Sequence, residues 1–139
     1  MPRYLVLMVI AAVLAVEADV KQDITDLFTG MASALSDANP RDFLRAFDPS
    51  MPGYETLANN VRALATENAV SNAVEITSQK GNDQSQEVEI DWLMEIKGIG
   101  QSSIAVTRET TLKCRLERKG KKWRIVSLDP LNFFAPPVS

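Results

Sequence analysis

Glu87-Val88-Glu89-Ile90-Asp91-Trp92-Leu93-Met94-Glu95-Ile96 is the stretch that decides the fold class of this chain. Val88, Ile90, Trp92, Met94 and Ile96 take every second position, and Glu87, Glu89, Asp91, Leu93 and Glu95 fill the places between. Successive side chains of an extended chain point to opposite faces, so this pattern predicts a strand with one apolar face and one mainly acidic face. Such a strand needs neighbours along its edges and a cover over its apolar side.

The neighbours lie on both sides in sequence. Upstream, the period becomes two from Ala73, where Val74 and Ile76 alternate with polar residues, and Lys80-Gly81-Asn82-Asp83 turns the chain. Downstream, Gly98-Ile99-Gly100 makes the next turn. Ile104, Val106, Leu112, Cys114 and Leu116 then mark one face of a long third strand. Lys119-Gly120 is a hairpin turn, and Trp123 to Leu128 form a fourth strand. Pro130, Pro136 and Pro137 bound a short apolar tail with Leu131, Phe133 and Phe134.

The cover lies further upstream. Ile24, Leu27, Phe28, Met31 and Leu35 recur at spacings of three and four, which predicts a helix over Asp19 to Ala38. Asn39-Pro40-Arg41-Asp42 stops it and starts another. Asn39 serves as N-cap, Pro40 suits the first helical position, and Phe43, Leu44 and Phe47 form the apolar face. After the turn-rich Asp48-Pro49-Ser50-Met51-Pro52-Gly53, a third helix is expected over Tyr54 to Glu67, with Leu57, Val61 and Leu64 on one side. Helices first and hairpin-connected strands afterwards imply an α+β fold with an antiparallel sheet.

Bulk composition narrows the function. The 139 residues suit one domain, with 45% hydrophobic and 24% charged residues. The net charge of −3 argues against a nucleic-acid binder, which carries a basic excess. There is no histidine, the commonest general base and metal ligand. Cys114 stands alone, so an intramolecular disulfide or a cysteine-rich metal site cannot form.

The first eighteen residues read separately. A charged start around Arg3, an apolar run from Leu5 to Val16, and small residues at Val16 and Ala18 make the three-part layout of a secretory signal. The run is shorter than the ~20 residues of a spanning helix. The expectation is cleavage before Asp19, a mature domain over residues 19–139 in the periplasm or outside the cell, and no membrane span after cleavage.

Three N-terminal helices before four long strands, ending in Trp123-Arg124-Ile125-Val126-Ser127-Leu128 with Pro130 and Phe133-Phe134 after it, resemble the nuclear transport factor 2-like superfamily over roughly residues 20–134. The resemblance implies a strongly curved sheet that encloses a cone-shaped pocket with the helices, and a homodimer through the sheet. It also implies which chemistries are missing. Polyketide cyclases and scytalone-dehydratase-like members depend on a histidine. Limonene epoxide hydrolases use Arg-x-Asp, but here Thr110 follows Arg108 two residues on. Ketosteroid isomerases need a tyrosine that Tyr54, outside the first helix, does not supply.

Pocket candidates follow from the faces: Trp92, Met94, Phe28, Phe47 and Tyr54 as walls, with Arg108 and Asp129 as the polar groups. Arg108 shares the covered face with Leu112 and Cys114, and a charge there needs a partner. It is expected opposite Trp92, within two residues, where it could stack on the indole. It either holds an anionic or carbonyl ligand, or pairs with a helix carboxylate such as Asp42 or Asp48; the structural pairing is the preferred reading. Cys114, with no base to activate it, reads as a small core residue. The basic cluster Arg115, Arg118, Lys119, Lys121, Lys122 and Arg124 reads as a solvated hairpin tip. The acidic row Glu87, Glu89, Asp91 and Glu95 is placed to face Lys113 and Arg115 across the sheet.

Two functions remain. One is a non-catalytic small-ligand-binding or interaction domain exported from the bacterial cytoplasm, needing no metal or cofactor. Its partner would be a small apolar or anionic ligand, or a second copy. The other is a lyase, isomerase or hydrolase of a small substrate, with Arg108 as the electrostatic group and Asp129 or Asp48 as the base.

Overall fold

The computed structural model describes residues 2–99 and 105–138, with side chains from residue 19 onward. Gly100 and Ile104, read above as parts of a turn and of the third strand, lie outside those residues. The elements run α1 (Pro2–Ser36), α2 (Pro40–Leu44), α3 (Tyr54–Glu67), β1 (Asn68–Gly81), β2 (Ser85–Gly98), β3 (Ala105–Lys119) and β4 (Lys122–Asp129), with a 3₁₀ turn over Leu131–Phe134. The strands form one curled antiparallel sheet in the order β1-β2-β3-β4. The fold is therefore α+β, with its helices before its sheet.

Local sequence accounts for most boundaries. The Asn39 side chain accepts from the Asp42 backbone N–H at 3.1 Å, which caps α2 and satisfies one orphan donor of its first turn. Gly53 enters α3 at φ +81°, a left-handed conformation that a Cβ disfavours, and a Cβ there would run into Leu131 of the tail. Two boundaries differ from the sequence reading. α1 begins at Pro2 instead of Asp19, because the Leu- and Ala-rich run before Asp19 is itself helix-forming and no capping residue interrupts it. No helix among the described residues is long and apolar enough to cross a membrane. β1 begins at Asn68 instead of Ala73. Its first turn of sequence, Asn68-Ala69-Val70-Ser71-Asn72, is poor in strand formers, and pairing with β2 from Asn68↔Gly98 onward overrides that preference.

The apolar faces meet as expected. Ile24, Phe28 and Leu35 of α1, Leu57, Val61 and Leu64 of α3, and Ile90, Trp92, Met94, Leu116 and Ile125 of the sheet are all within 1% of complete burial. Val106 is a correction: expected on the covered face, it is 38% exposed, although its register partner Ile96 is buried. The free edge of β4 is partly covered. Ile125 donates its N–H to Ala46 O at 2.8 Å and accepts from Asp48 N–H at 2.9 Å, so residues 46–48 add an isolated parallel bridge.

Candidate functional site

The inner face of the sheet is the natural place for a site, and Trp92 stands at its centre. The indole is fully buried and meets Phe134 and Phe43 edge-on, with ring centroids 5.1 and 6.4 Å away. Phe43 and Phe134 meet each other at 5.0 Å. These tilted geometries suit the ring quadrupoles. The one polar atom of Trp92 is satisfied: its N–H donates to Asn72 Oδ1 at 2.8 Å. The Asn72 amide donates in turn to Ser36 Oγ at 2.9 Å and Ala32 O at 3.3 Å, which ties β1 and β2 to α1. Asn72 has no role in the sequence reading. It lies just before Ala73, where the strand was expected to begin, so no periodic signal marked it.

Trp92, Met94, Phe28 and Phe47, expected as pocket walls, are 0–2% exposed. They are core residues closed to solvent. The tail produces the difference, for it folds back and seats Phe134, fully buried, between Phe43 and Trp92. Tyr54 is a second correction. It is half-buried and lines an outer cleft between α2 and α3.

Arg108 does face the inner side, as alternation requires, and lies within two residues of the expected register, but its hydrogen-bond partners differ from those expected. It stands opposite Met94, and Thr110 takes the place opposite Trp92. Nη1 donates to Phe133 O at 2.8 Å and to Ala135 O at 2.5 Å, the carbonyls at the end of the 3₁₀ turn. Burial lowers its pKa from the usual guanidinium value. The proposed carboxylate partners are occupied elsewhere: Asp42 with Arg45 at 3.1 Å, and Asp48 with the Lys119 ammonium. A cation whose partners are tail carbonyls acts as a latch on the tail.

The carboxylates do not converge on Arg108. Asp129 is exposed at the end of β4, opposite Lys113. Asp48 is nearly buried. The Lys119 ammonium, then the Ser50 N–H at 2.9 Å and the Ser50 hydroxyl at 2.7 Å, hold its carboxyl well below the usual range. A carboxylate so stabilised is a poor base at neutral pH. Cys114 is buried, and desolvation pushes its thiol up to about 12, so no thiolate is available near neutrality.

The outer face carries its own feature. Glu87 pairs in register with Arg115 and Glu89 with Lys113, as expected. The ion pairs that form run along slightly different lines, Lys80–Glu87 at 3.6 Å and Arg115–Glu117 at 3.9 Å. Lys80, Glu87, Glu89, Lys113, Arg115 and Asp129 line a groove of about 780 Å³.

No family model matches the sequence, and no curated protein matches it. Solved structures do share the fold. A conserved protein from Planctomyces limnophilus superposes with a TM-score of 0.72 at 7% identity, covering 81% of this chain and 94% of its own. An NTF-2-like protein of unknown function from Shewanella oneidensis gives 0.63 at 12%, covering 78% and 95%. A type 2 hexachlorocyclohexane dehydrochlorinase gives 0.66 at 12%, covering 82% and 85%. At such identities the likeness is one of fold: this chain has the nuclear transport factor 2-like fold.

Proposed function

We propose that this nuclear transport factor 2-like chain is a non-catalytic binding or interaction domain, exported from the bacterial cytoplasm, and not a lyase, isomerase or hydrolase. One observation carries the reading: Arg108, the cation best placed for chemistry inside the cone, spends its Nη1 on Phe133 O and Ala135 O. A reaction needs a base within hydrogen-bond reach of the substrate; Asp129 is exposed at the end of β4, and Asp48 is engaged by Lys119 and Ser50. The dehydrochlorinase shares the fold, which says nothing of its chemistry here.

The cone is the ligand-binding part of this proposal. Phe134 occupies the space an apolar ligand would take, so a ligand enters the cone only by displacing the tail. The outer face supports a second copy of the chain as partner. Its rows Glu89–Lys113–Asp129 and Lys80–Glu87–Arg115 alternate in sign, and such a pattern complements itself across a two-fold axis.

Thermal melting of wild type and Arg108→Met with a panel of small carboxylates tests the reading. No carboxylate should shift wild type, because Nη1 is held by the tail carbonyls. Stabilisation of wild type alone would show an anion docked on Arg108, a ligand-binding group in place of a latch on the tail.

A further inference from the structure

We propose a second ligand site, separate from the cone: the cleft between α2 and α3 binds a phosphate monoester carried on an apolar or aromatic body. The cleft, of about 450 Å³, is lined by Pro40, Arg41, Leu44, Arg45, Tyr54 and Arg62. That volume is in the range of small-molecule sites, roughly 300–1,000 Å³.

The sequence spacing builds it from two helix faces. Arg41, Leu44 and Arg45 lie three and four apart on α2, so they share one face. Tyr54 and Arg62 are eight apart on α3, two turns along one stripe. Packing of the two helices brings both faces to the same cleft. Buried Leu44 gives it an apolar floor, and the half-buried Tyr54 ring gives it an aromatic side.

The charges select the ligand. Arg45 shares its charge with Asp42 at 3.1 Å. Arg41 and Arg62 have no ion pair among the described residues. Three guanidiniums less one carboxylate leave two uncompensated positive charges in a chain whose net charge is −3. A phosphate monoester carries close to two negative charges at neutral pH. Guanidinium forks bind its oxygens bidentately, and such charge-assisted bonds are the strong ones. An apolar body on the ester oxygen would cover Leu44 and stack on Tyr54, which bare phosphate cannot do. Both a soluble aryl phosphate and the headgroup of a phosphatidic acid have this chemistry.

Calorimetric titration of the wild-type protein with phenyl phosphate, inorganic phosphate and phosphatidic-acid vesicles, at matched ionic strength, tests the site. Phenyl phosphate should bind at least tenfold tighter than inorganic phosphate, and Arg41→Met with Arg62→Met should weaken it at least tenfold. Both arginines are exposed, so the variant should melt near wild type; if it does not, Arg62→Lys serves, keeping the charge but losing the fork. Binding of vesicles without phenyl phosphate would assign the lipid source of the same headgroup. No binding of either, or equal binding by the arginine variants, would overturn the site.

Discussion

Replacing Trp92 with alanine removes a fully buried indole and leaves Asn72 Oδ1 without its donor. Both effects act in the same direction, so Trp92→Ala should cost about 3–5 kcal/mol in urea unfolding. A loss under about 1 kcal/mol would contradict the burial of this face. Asp48 makes a different kind of prediction, one that depends on pH. Its carboxyl is held below the ordinary value of 3.8 by Lys119 and Ser50, so folding favours its ionised form. The stabilisation is therefore complete above about pH 4 and is lost as pH falls further, through the depressed folded value. Lys119→Met should then weaken the protein above pH 4 and flatten the acid limb of its stability curve. An unchanged acid limb would mean the pair contributes nothing. The ammonium is half exposed, so solvent screening limits the size of the effect.

At the scale of elements, the tail is the part that covers Trp92 on the inner face of the sheet. Phe134→Ala should destabilise by about 3–5 kcal/mol, because the ring it removes is fully buried against Phe43 and Trp92. Arg108→Met should cost less, about 1–3 kcal/mol, since it breaks two hydrogen bonds from a charged donor near the surface. In a Trp123→Phe background both changes should move the Trp92 emission to the red as water reaches the indole. An emission that stays blue in both variants would mean the tail does not seal the inner face over Trp92. The strands were legible in the sequence for a plain reason: Glu87 to Ile96 alternates strictly, and β2 pairs along its length as that alternation requires. The helix stripes were legible for the same reason. The site was not. A one-strand pattern fixes the face of Arg108 but not its register, and the true partner, Met94, lay two residues from the expected one. The burial of Trp92 under Phe134 was illegible because it depends on where Phe133 and Phe134 fold back, a long-range event with no periodic signal. The Arg41, Arg45 and Arg62 cleft was illegible because it exists only once α2 packs on α3.

At the scale of the whole molecule, the proposals of export and of self-association meet in one measurement. The start of the chain has the layout of a cleavable signal, yet α1 continues as one helix from Pro2 to Ser36. Without cleavage, an apolar run would extend beyond the helix turns that pack on β1. Cleavage before Asp19 removes that run and keeps the turns carrying Ile24, Phe28 and Leu35, all buried. The mature chain would then hide its apolar surface in the core and leave a charged outer sheet face as its contact surface. A two-fold interface there needs about 800 Å² per partner and opposite charges facing each other. Alternation along Glu89–Lys113–Asp129 supplies the second requirement. Native mass spectrometry of protein from the envelope fraction should therefore give twice the mass of a chain beginning at Asp19. Glu89→Lys should halve that mass by placing like charges together. Raising the salt should weaken the association as the exposed charges are screened. A chain that keeps residues 1–18 would end the export proposal and leave the dimer standing. A monomer at every concentration would end the dimer and leave export standing, so each proposal stands or falls by its own half of the spectrum.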